Sequence, residues 1–419
     1  MDGTPIAKSR QYEDFVIETP PVDFRIRAQI YRDPAVFEDE MHNIFEKTWV
    51  YVAHDSEIPN PGDFKTTAVG RLPVIVSRDK GGKVHVLLNV CRHRGAVLCR
   101  TERGNTNKFV CPYHAWIYGN DGNLLSTSSL EGGFPQGFAE GIGGLIHLPR
   151  VATYRGLIFA SVSPTGDSLE SQLGPVRTYI DLWFDQSPNG RVRLLEPRRA
   201  FYDANWKFQL ENTTDGWHAR YVHDSAFKTM QDFSKRDPTK GWQGCTRGFE
   251  RGHGILERPM RSSFAPEVEE SYMALLTDRH GKDRAEKAHY GRHITLFPNV
   301  HLMEFKIRVV QPVAVDRTIV YEFPIEFEDA PTEVNAAVAQ RMLHEGSLAA
   351  GFVNSDDVEI FSRVQSGLYG AHLMEWFILA RGMAEEKVEA SGERVGAESF
   401  ELPQRAIYRE WSRLMNAGG

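Results

Sequence analysis

The chain has 419 residues, with 49 Lys and Arg against 56 Asp and Glu for a net charge of −7, and it is 41% apolar and 25% charged. These are globular proportions with room for two cores, and they exclude disordered, collagen-like and coiled-coil chains. The acidic balance offers nothing to draw nucleic acid, no run of about 20 apolar residues is present to cross a membrane, and the polar N-terminus lacks the apolar stretch of a secretory signal. Four cysteines are too few for a disulfide framework in a chain of this length, so metal binding in a reducing cytoplasm is the expectation.

Residues 1–32 are polar. Asp33-Pro34 then reads as an N-cap followed by Pro at the first helical position, and Phe37, Met41, Ile44 and Phe45 recur at helical spacing, so a helix is expected over 34–48. From 49 to 163 the texture changes to short segments rich in Val, Leu, Ile and Thr, at 63–69, 73–78 and 83–90. The turn sequences Asp79-Lys80-Gly81-Gly82 and Asn120-Asp121-Gly122 punctuate this region, and 156–160 reads as its last strand. This is the pattern of a small antiparallel β domain. Farther on, strand patterns at 191–203, 299–311 and 317–327 mix with helical ones at 205–222, 331–345 and 403–415. Val334, Val338 and Met342 form one apolar stripe, and Ile407, Trp411, Leu414 and Met415 another. Strands and helices without strict alternation indicate an α+β domain. Residues 225–290 are polar and without period, which reads as a long irregular loop or lid.

Two clusters of ligand-type residues stand out. Cys91-Arg92-His93 is followed after 17 residues by Cys111-Pro112-Tyr113-His114, each set at the end of an expected strand. Two thiolates and two imidazoles suit Zn²⁺. They also suit a [2Fe–2S] cluster with both Cys on one iron and both His on the other, and one Cys plus one His on each of two loops at the tip of a β domain fits the cluster better. Neutral imidazoles in place of two thiolates lower the negative charge of such a cluster and raise its potential to roughly −150 to +300 mV. Cys99 lies off the pattern and reads as a small buried apolar residue. Cys245 has no partner spacing.

The second cluster is Glu211-Asn212-Thr213-Thr214-Asp215-Gly216-Trp217-His218, with His223 five residues on. Five residues of ideal α-helix turn through about 140°, so the two rings would diverge. A π-bulge or a break around 218–223 is therefore expected. Two His need a carboxylate to complete the facial triad of non-haem Fe(II) oxygenases. Asp215, one turn before His218, is one source, and the run Gly351-Phe352-Val353-Asn354-Ser355-Asp356-Asp357-Val358-Glu359 is the other.

The segments N-V-C-R-H-R-G at 89–95 and C-P-Y-H-A-W at 111–116 resemble the Rieske signature of aromatic-ring-hydroxylating oxygenases, α (large) subunit. E-N-x-x-D-G-x-H-x-x-x-x-H at 211–223 and G-F-x-x-S-D-D at 351–357 resemble the mononuclear-iron motifs of the same family. The resemblance runs from the helix at 34–48 to the C-terminal helix and is weakest over 225–290, part of the substrate entrance in the family. It implies an α+β fold in which an antiparallel β Rieske domain, 49–163, adjoins a catalytic domain, 164–419, with 1–48 as the N-terminal part of the latter. The catalytic domain would have a central antiparallel sheet covered by helices.

The same resemblance implies that Cys91, His93, Cys111 and His114 hold the [2Fe–2S] cluster with Trp116 packed beside it. It implies His218, His223 and Asp357, rather than Asp356, as ligands of mononuclear Fe(II). Asp215 would then bond both His218 and His114 of the partner subunit, coupling the two centres across an interface, and Asn212 would lie near the open iron positions. The implied activity is that of a terminal oxygenase. A reductase passes electrons from NAD(P)H, directly or through a ferredoxin, and O₂ is used to convert an aromatic ring to a cis-dihydrodiol, catechol or phenol. The implied assembly is a cytoplasmic homotrimer, or α₃β₃ with a small β subunit.

The length resembles the shorter α subunits that act on benzoate, anthranilate, salicylate or terephthalate. On the strand expected over 299–311, Met303, Phe305, Ile307 and Val309 would point one way and Glu304, Lys306 and Arg308 the other. Arg308 is thus a candidate to clamp a substrate carboxylate, against the alternative of a structural ion pair. Arg405 is a second candidate, or an anchor for the last helix. Neutral arenes and anilines are the alternative substrates. A Rieske-type electron carrier without oxygenase activity is the alternative class, and it leaves the second His pair without a role.

Overall fold

The structure is a computed structural model that describes residues 12–127, 133–135, 137–234, 244–259, 264–345, 351 and 353–417. The helix expected at 34–48 forms as Pro34–Glu40, capped by Asp33, whose carboxylate accepts the Ala35 N–H at 2.8 Å. It then widens into a π-type turn over Met41–Phe45 that keeps Met41, Ile44 and Phe45 buried.

Strands Asp63–Val69, Leu72–Arg78 and Val84–Leu88 pair in series as antiparallel hairpins, with Arg103–Asn105 on the free edge of the first. Lys108–Val110, Ile117–Gly119 and Leu124–Ser126 form a second small sheet. Phe64, Ile75, Leu87, Phe109, Trp116 and Tyr118 share one core cluster with Cys91 and Cys111. Arg150–Tyr154 and Leu157–Ser161 complete the region, the latter pairing with Val50–His54.

A ten-stranded antiparallel sheet organises the rest, with Lys306–Ala314 and Arg317–Phe327 as its longest pair. Three expectations change here. The strand pattern at 191–203 is two strands, Val192–Leu194 and Arg198–Tyr202, both on Arg317–Phe327; Pro197 between them can donate nothing to a ladder. The pattern at 299–311 is a hairpin, Val300–Met303 and Lys306–Ala314, turning at Glu304-Phe305, so the alternation across 303–309 is interrupted while Lys306 and Arg308 still share a face.

Among the described residues, 225–290 is not one long loop. Their described parts hold helices Asp224–Ser234, Pro266–His280 and Lys282–Ala288 and strands Cys245–Gly248 and Gly254–Arg258 of the large sheet. Pro266–His280 buries Tyr272 and Leu276 and leaves most of its surface polar; Cys245–Gly248 buries Thr246 and Gly248, and Gly254–Arg258 is buried on both faces from Gly254 to Glu257, so neither period is visible in the sequence.

Helices Thr332–Glu345 and Leu402–Asn416 form as expected, with the Val334, Val338, Met342 stripe and the Ile407, Trp411, Leu414, Met415 stripe buried. Among the described residues no helix is long and apolar enough to cross a membrane.

Candidate iron–sulfur and mononuclear metal centres

The two Cys/His segments fold into matching loops. Gly95 N–H donates to Cys91 O at 3.0 Å and Ala115 N–H to Cys111 O at 3.1 Å. Cys91 N–H in turn donates to Ala96 O, and Cys111 N–H to Trp116 O, both at 2.8 Å. The fifth residue of each loop is left-handed, Gly95 at φ 71° and Ala115 at φ 53°. Cys91 and Cys111 are buried free thiols, and the rings of His93 and His114 approach to 4.5 Å between centroids. Both Nδ1 atoms are buried without a hydrogen-bond partner. Two orphaned ring nitrogens, each on a loop that also carries a buried thiol, have a desolvation cost that a bound metal centre removes, so the residues fit the cluster. Burial, with the charges of His93 and Arg94, lowers the pKa of His114 and favours the neutral, ligating form. Trp116 stacks on His93 at 5.0 Å and 4°. Cys99 is half-buried rather than buried, because it lines the cleft of about 260 Å³ between this domain and the large sheet, with its thiol 3.7 Å from Thr101 O.

The helix expected at 205–222 is broken. Lys207–Thr213 ends at Thr214, Ala219–Val222 makes a single turn, and Asp224–Ser234 starts anew. The expected helix breaks twice: at Thr214, with φ −113° and ψ 18°, ahead of the expected place, and at His223, with φ −99° and ψ 19°; the second is not a π-bulge, because Val222 N–H donates to His218 O and His223 N–H to Ala219 O, both ordinary helical bonds. His218 stands at the start of the turn and His223 at its end, so their rings converge to 5.4 Å.

Asp357 arrives from the first turn of helix Asn354–Gly367. Its Oδ1 lies 3.4 Å from His218 Nε2 and 3.2 Å from His223 Nε2, and one ligand atom from each of the three residues lies within 4.8 Å of the others. Burial opposes charge on Asp357, but the two imidazoles outweigh it and hold the carboxyl well below its usual range. Burial likewise opposes charge on His218, and Asp215 and Asp357 outweigh it, raising its pKa to about 9. Such a nest of facing groups calls for positive charge at its centre, which a divalent ion would supply on displacing the proton. Asn212 Nδ2 donates to Asp357 Oδ1 at 3.0 Å and lies 3.1 Å from His218 Nε2, beside the expected metal position.

Two protein families match this sequence: the Rieske [2Fe–2S] domain over residues 48–135 and the ring hydroxylating alpha subunit (catalytic domain) over 180–416. The chain belongs to the ring-hydroxylating oxygenase α subunits. It is 35% identical to the 2-halobenzoate 1,2-dioxygenase large subunit of Burkholderia cepacia, covering 91% of this chain and 85% of that protein. It is 34% identical to the anthranilate 1,2-dioxygenase large subunit of Acinetobacter baylyi, covering 91% and 86%. Its fold superposes on naphthalene 1,2-dioxygenase with indole bound, at a TM-score of 0.85 and 25% identity over 97% of this chain and 95% of that one. The protein is thus the terminal oxygenase of a multicomponent system, with a Rieske cluster, a mononuclear iron, an aromatic substrate and O₂.

The oxygenase places a carboxylate behind each histidine of the second centre. Asp215 Oδ2 lies 3.3 Å from His218 Nδ1, while its Oδ1 accepts the N–H of Trp217 at 2.7 Å and of His218 at 3.2 Å. Asp356 Oδ2 lies 3.3 Å from His223 Nδ1, a role the sequence reading missed. The signal was present in the adjacent Asp356-Asp357 pair: neighbours on a helix point about 100° apart, so the two carboxylates serve different targets.

Arg308 is not a free carboxylate clamp. It is 2% exposed, its Nε donates to Glu322 Oε1 at 3.0 Å, and its Nη2 donates to Asn354 Oδ1 at 2.9 Å. The register of the hairpin puts Arg308 opposite Glu322, and burial requires the pair. Arg405 anchors the last helix: its Nη1 donates to Leu379 O at 2.6 Å and Arg381 O at 3.0 Å, and its Nε to Glu386 Oε1 at 2.8 Å.

Proposed function

We propose that this oxygenase hydroxylates the ring of an aromatic carboxylic acid, with Cys91, His93, Cys111 and His114 holding the cluster and His218, His223 and Asp357 holding Fe(II). The observation that carries the substrate class is a gradient of similarity. Identity is 33–35% to large subunits named for 2-halobenzoate, anthranilate and toluate, and 27–30% to those named for biphenyl and benzene.

Bound in these sites, the cluster supplies single electrons and the iron supplies oxygen activation. The chain supplies the rest. Asp215 and Asp356 fix the tautomers of His218 and His223 so that each Nε2 faces the metal. Asn212 restrains the Asp357 carboxylate, and the Trp116 indole covers the His93 ring. The electrons come from an NAD(P)H-linked reductase, directly or through a ferredoxin.

The chain assembles as a trimer, with or without a small β subunit, so that Asp215 reaches His114 of the partner subunit. Partial exposure of Asp215 supports this, as do exposed aromatics close by in sequence: Trp217 two residues after Asp215, and Tyr113 next to His114. Residues 49–163 form the cluster domain, and 1–48 belong with 164–419. In support, buried Glu40 accepts from Lys207 Nζ at 2.6 Å, Trp206 Nε1 at 2.9 Å and Trp411 Nε1 at 2.7 Å.

The test supplies the reduced enzyme with O₂ and a mixed panel of aromatic acids, anilines and neutral arenes, and reads product masses. Oxidation of acids alone is expected. Oxidation of neutral arenes or anilines alone would refute the substrate class and leave the reaction class standing.

A further inference from the structure

We propose that Glu322 positions Asp357 from inside the large sheet by holding the first turn of its helix through Asn354. This rests on the reading of His218, His223 and Asp357 as the iron site.

Three charged side chains are buried together on one face of the sheet: Lys306, Arg308 and Glu322, at 6%, 2% and 0% exposure. The two cations converge on one oxygen of the third. Glu322 Oε1 accepts from Lys306 Nζ at 2.8 Å and from Arg308 Nε at 3.0 Å and Nη2. The same oxygen accepts from Asn354 Nδ2 at 3.1 Å, and Asn354 Oδ1 in turn accepts from Arg308 Nη2 at 2.9 Å. The Asn354 amide is therefore held at both ends by the sheet.

Asn354 is the first residue of the helix that carries Asp357 three positions later, on nearly the same face. Val353 before it gives no capping hydrogen bond, and the amide of Asn354 ties this first turn to the strands beneath. Stability alone does not account for the arrangement, because replacing a buried charge cluster by apolar side chains is often neutral or stabilising. What the charges add is direction. Lys306 and Arg308 fix the Glu322 carboxylate, Glu322 and Arg308 fix Asn354, and the helix start then aims Asp357 at the two imidazoles. Arg308, attractive in the sequence as a substrate clamp, here acts through the metal ligand instead.

The test compares full-length wild-type oxygenase with Asn354→Ala and Glu322→Gln, reading Fe(II) affinity by chelator competition, the visible spectrum of the cluster, and the melting temperature. Glu257→Gln serves as control, since it cuts another buried ion pair of the same sheet, to Arg292. Asn354→Ala should weaken Fe(II) binding by about tenfold, the low end of what loss of a partner bonded directly to a ligand costs, because Asn354 acts on Asp357 through the helix start, with the cluster spectrum unchanged. Glu257→Gln should leave Fe(II) affinity within about twofold of wild type.

Wild-type affinity in Asn354→Ala, or equal loss of iron in Asn354→Ala and Glu257→Gln, would overturn the proposal. Asn354→Ala leaves the ion pairs of Glu322 in place, so it decides the matter even if Glu322→Gln fails to fold. A wild-type chain that binds no iron beyond its cluster would overturn the site reading, and this inference with it.

Discussion

Asn212 Nδ2 donates to Asp357 Oδ1 at 3.0 Å, joining two helices whose contacting residues are 145 positions apart in sequence. The bond holds the carboxylate of the last expected ligand from the helix that leads to the first. Replacing Asn212 by Ala removes the restraint and leaves all three ligands. The expected result is a fall in kcat of about tenfold or more, with KM and iron content little changed. Steady-state kinetics on a preparation of known iron content checks it. A rise in KM with kcat intact would place Asn212 in substrate binding instead.

Asp215 has a heavier load. Its carboxylate faces His218 Nδ1 and also accepts two backbone N–H groups of the turn that presents His218. Asp215→Ala should lower turnover by more than about 100-fold, beyond the usual cost of one outer partner, if Asp215 also carries the proposed coupling to His114 of the partner subunit. The cluster's visible spectrum should be unaffected, since its ligands lie in another domain. Asp215→Asn keeps an oxygen for the turn and loses the charge, so it separates the two jobs. Turnover that survives in Asp215→Ala would remove the bridging role.

The contrast between what the residues announced and what they hid has a physical basis. The C-x-H and C-x-x-H segments were legible because each loop is local: Cys91 bonds Gly95 and Ala96, and Cys111 bonds Ala115 and Trp116, so spacing alone encodes the geometry. The break at His223 was legible for the same reason, as five residues of unbroken helix cannot bring two rings together. The partner of Arg308 was hidden because Glu322 reaches it only across a hairpin whose start depends on the turn at Glu304-Phe305. Likewise Pro266–His280 gave no stripe, because so little of it is buried. Asp357 itself came from family resemblance, since the residues alone left two carboxylate sources open.

The pH dependence of folding has a sign set by buried imidazoles away from the metal ligands. Burial lowers the pKa of His253 to about 4, against the bond from its Nε2 to Gln172 O, and lowers that of His293 to about 4 as well. An unfolded histidine titrates near 6.5. Between these values the unfolded chain binds more protons, so acid favours unfolding there. The share of stability these two rings supply is therefore complete above about pH 6.5 and is lost as pH falls toward 4, by about 3 kcal/mol for each fully buried ring at most. Together they outweigh the buried carboxyl of Glu211, which burial raises to about 7 and which acts with the opposite sign. Melting temperature measured across pH 4–7.5 should fall steadily on the acid side. A flat profile would mean that these rings accept a proton in the folded state at ordinary cost.

The two cluster loops offer a paired test of backbone strain. Gly95 and Ala115 occupy equivalent left-handed positions, but only Ala115 carries a Cβ there. A non-glycine residue in this region costs about 1–2 kcal/mol, offset by about 0.5–1 kcal/mol because glycine loses more freedom on folding. Ala115→Gly should thus raise stability by up to about 1 kcal/mol, and Gly95→Ala should lower it by a similar amount. No atom lies within 4 Å of a Cβ built on Gly95, so the second cost comes from the backbone and not from collision. Denaturant titration followed by bleaching of cluster absorbance reads both variants in the loaded protein. Opposite shifts would establish the loops as conformational copies. Shifts of the same sign would mean that the environment of one loop, rather than its φ angle, decides its stability.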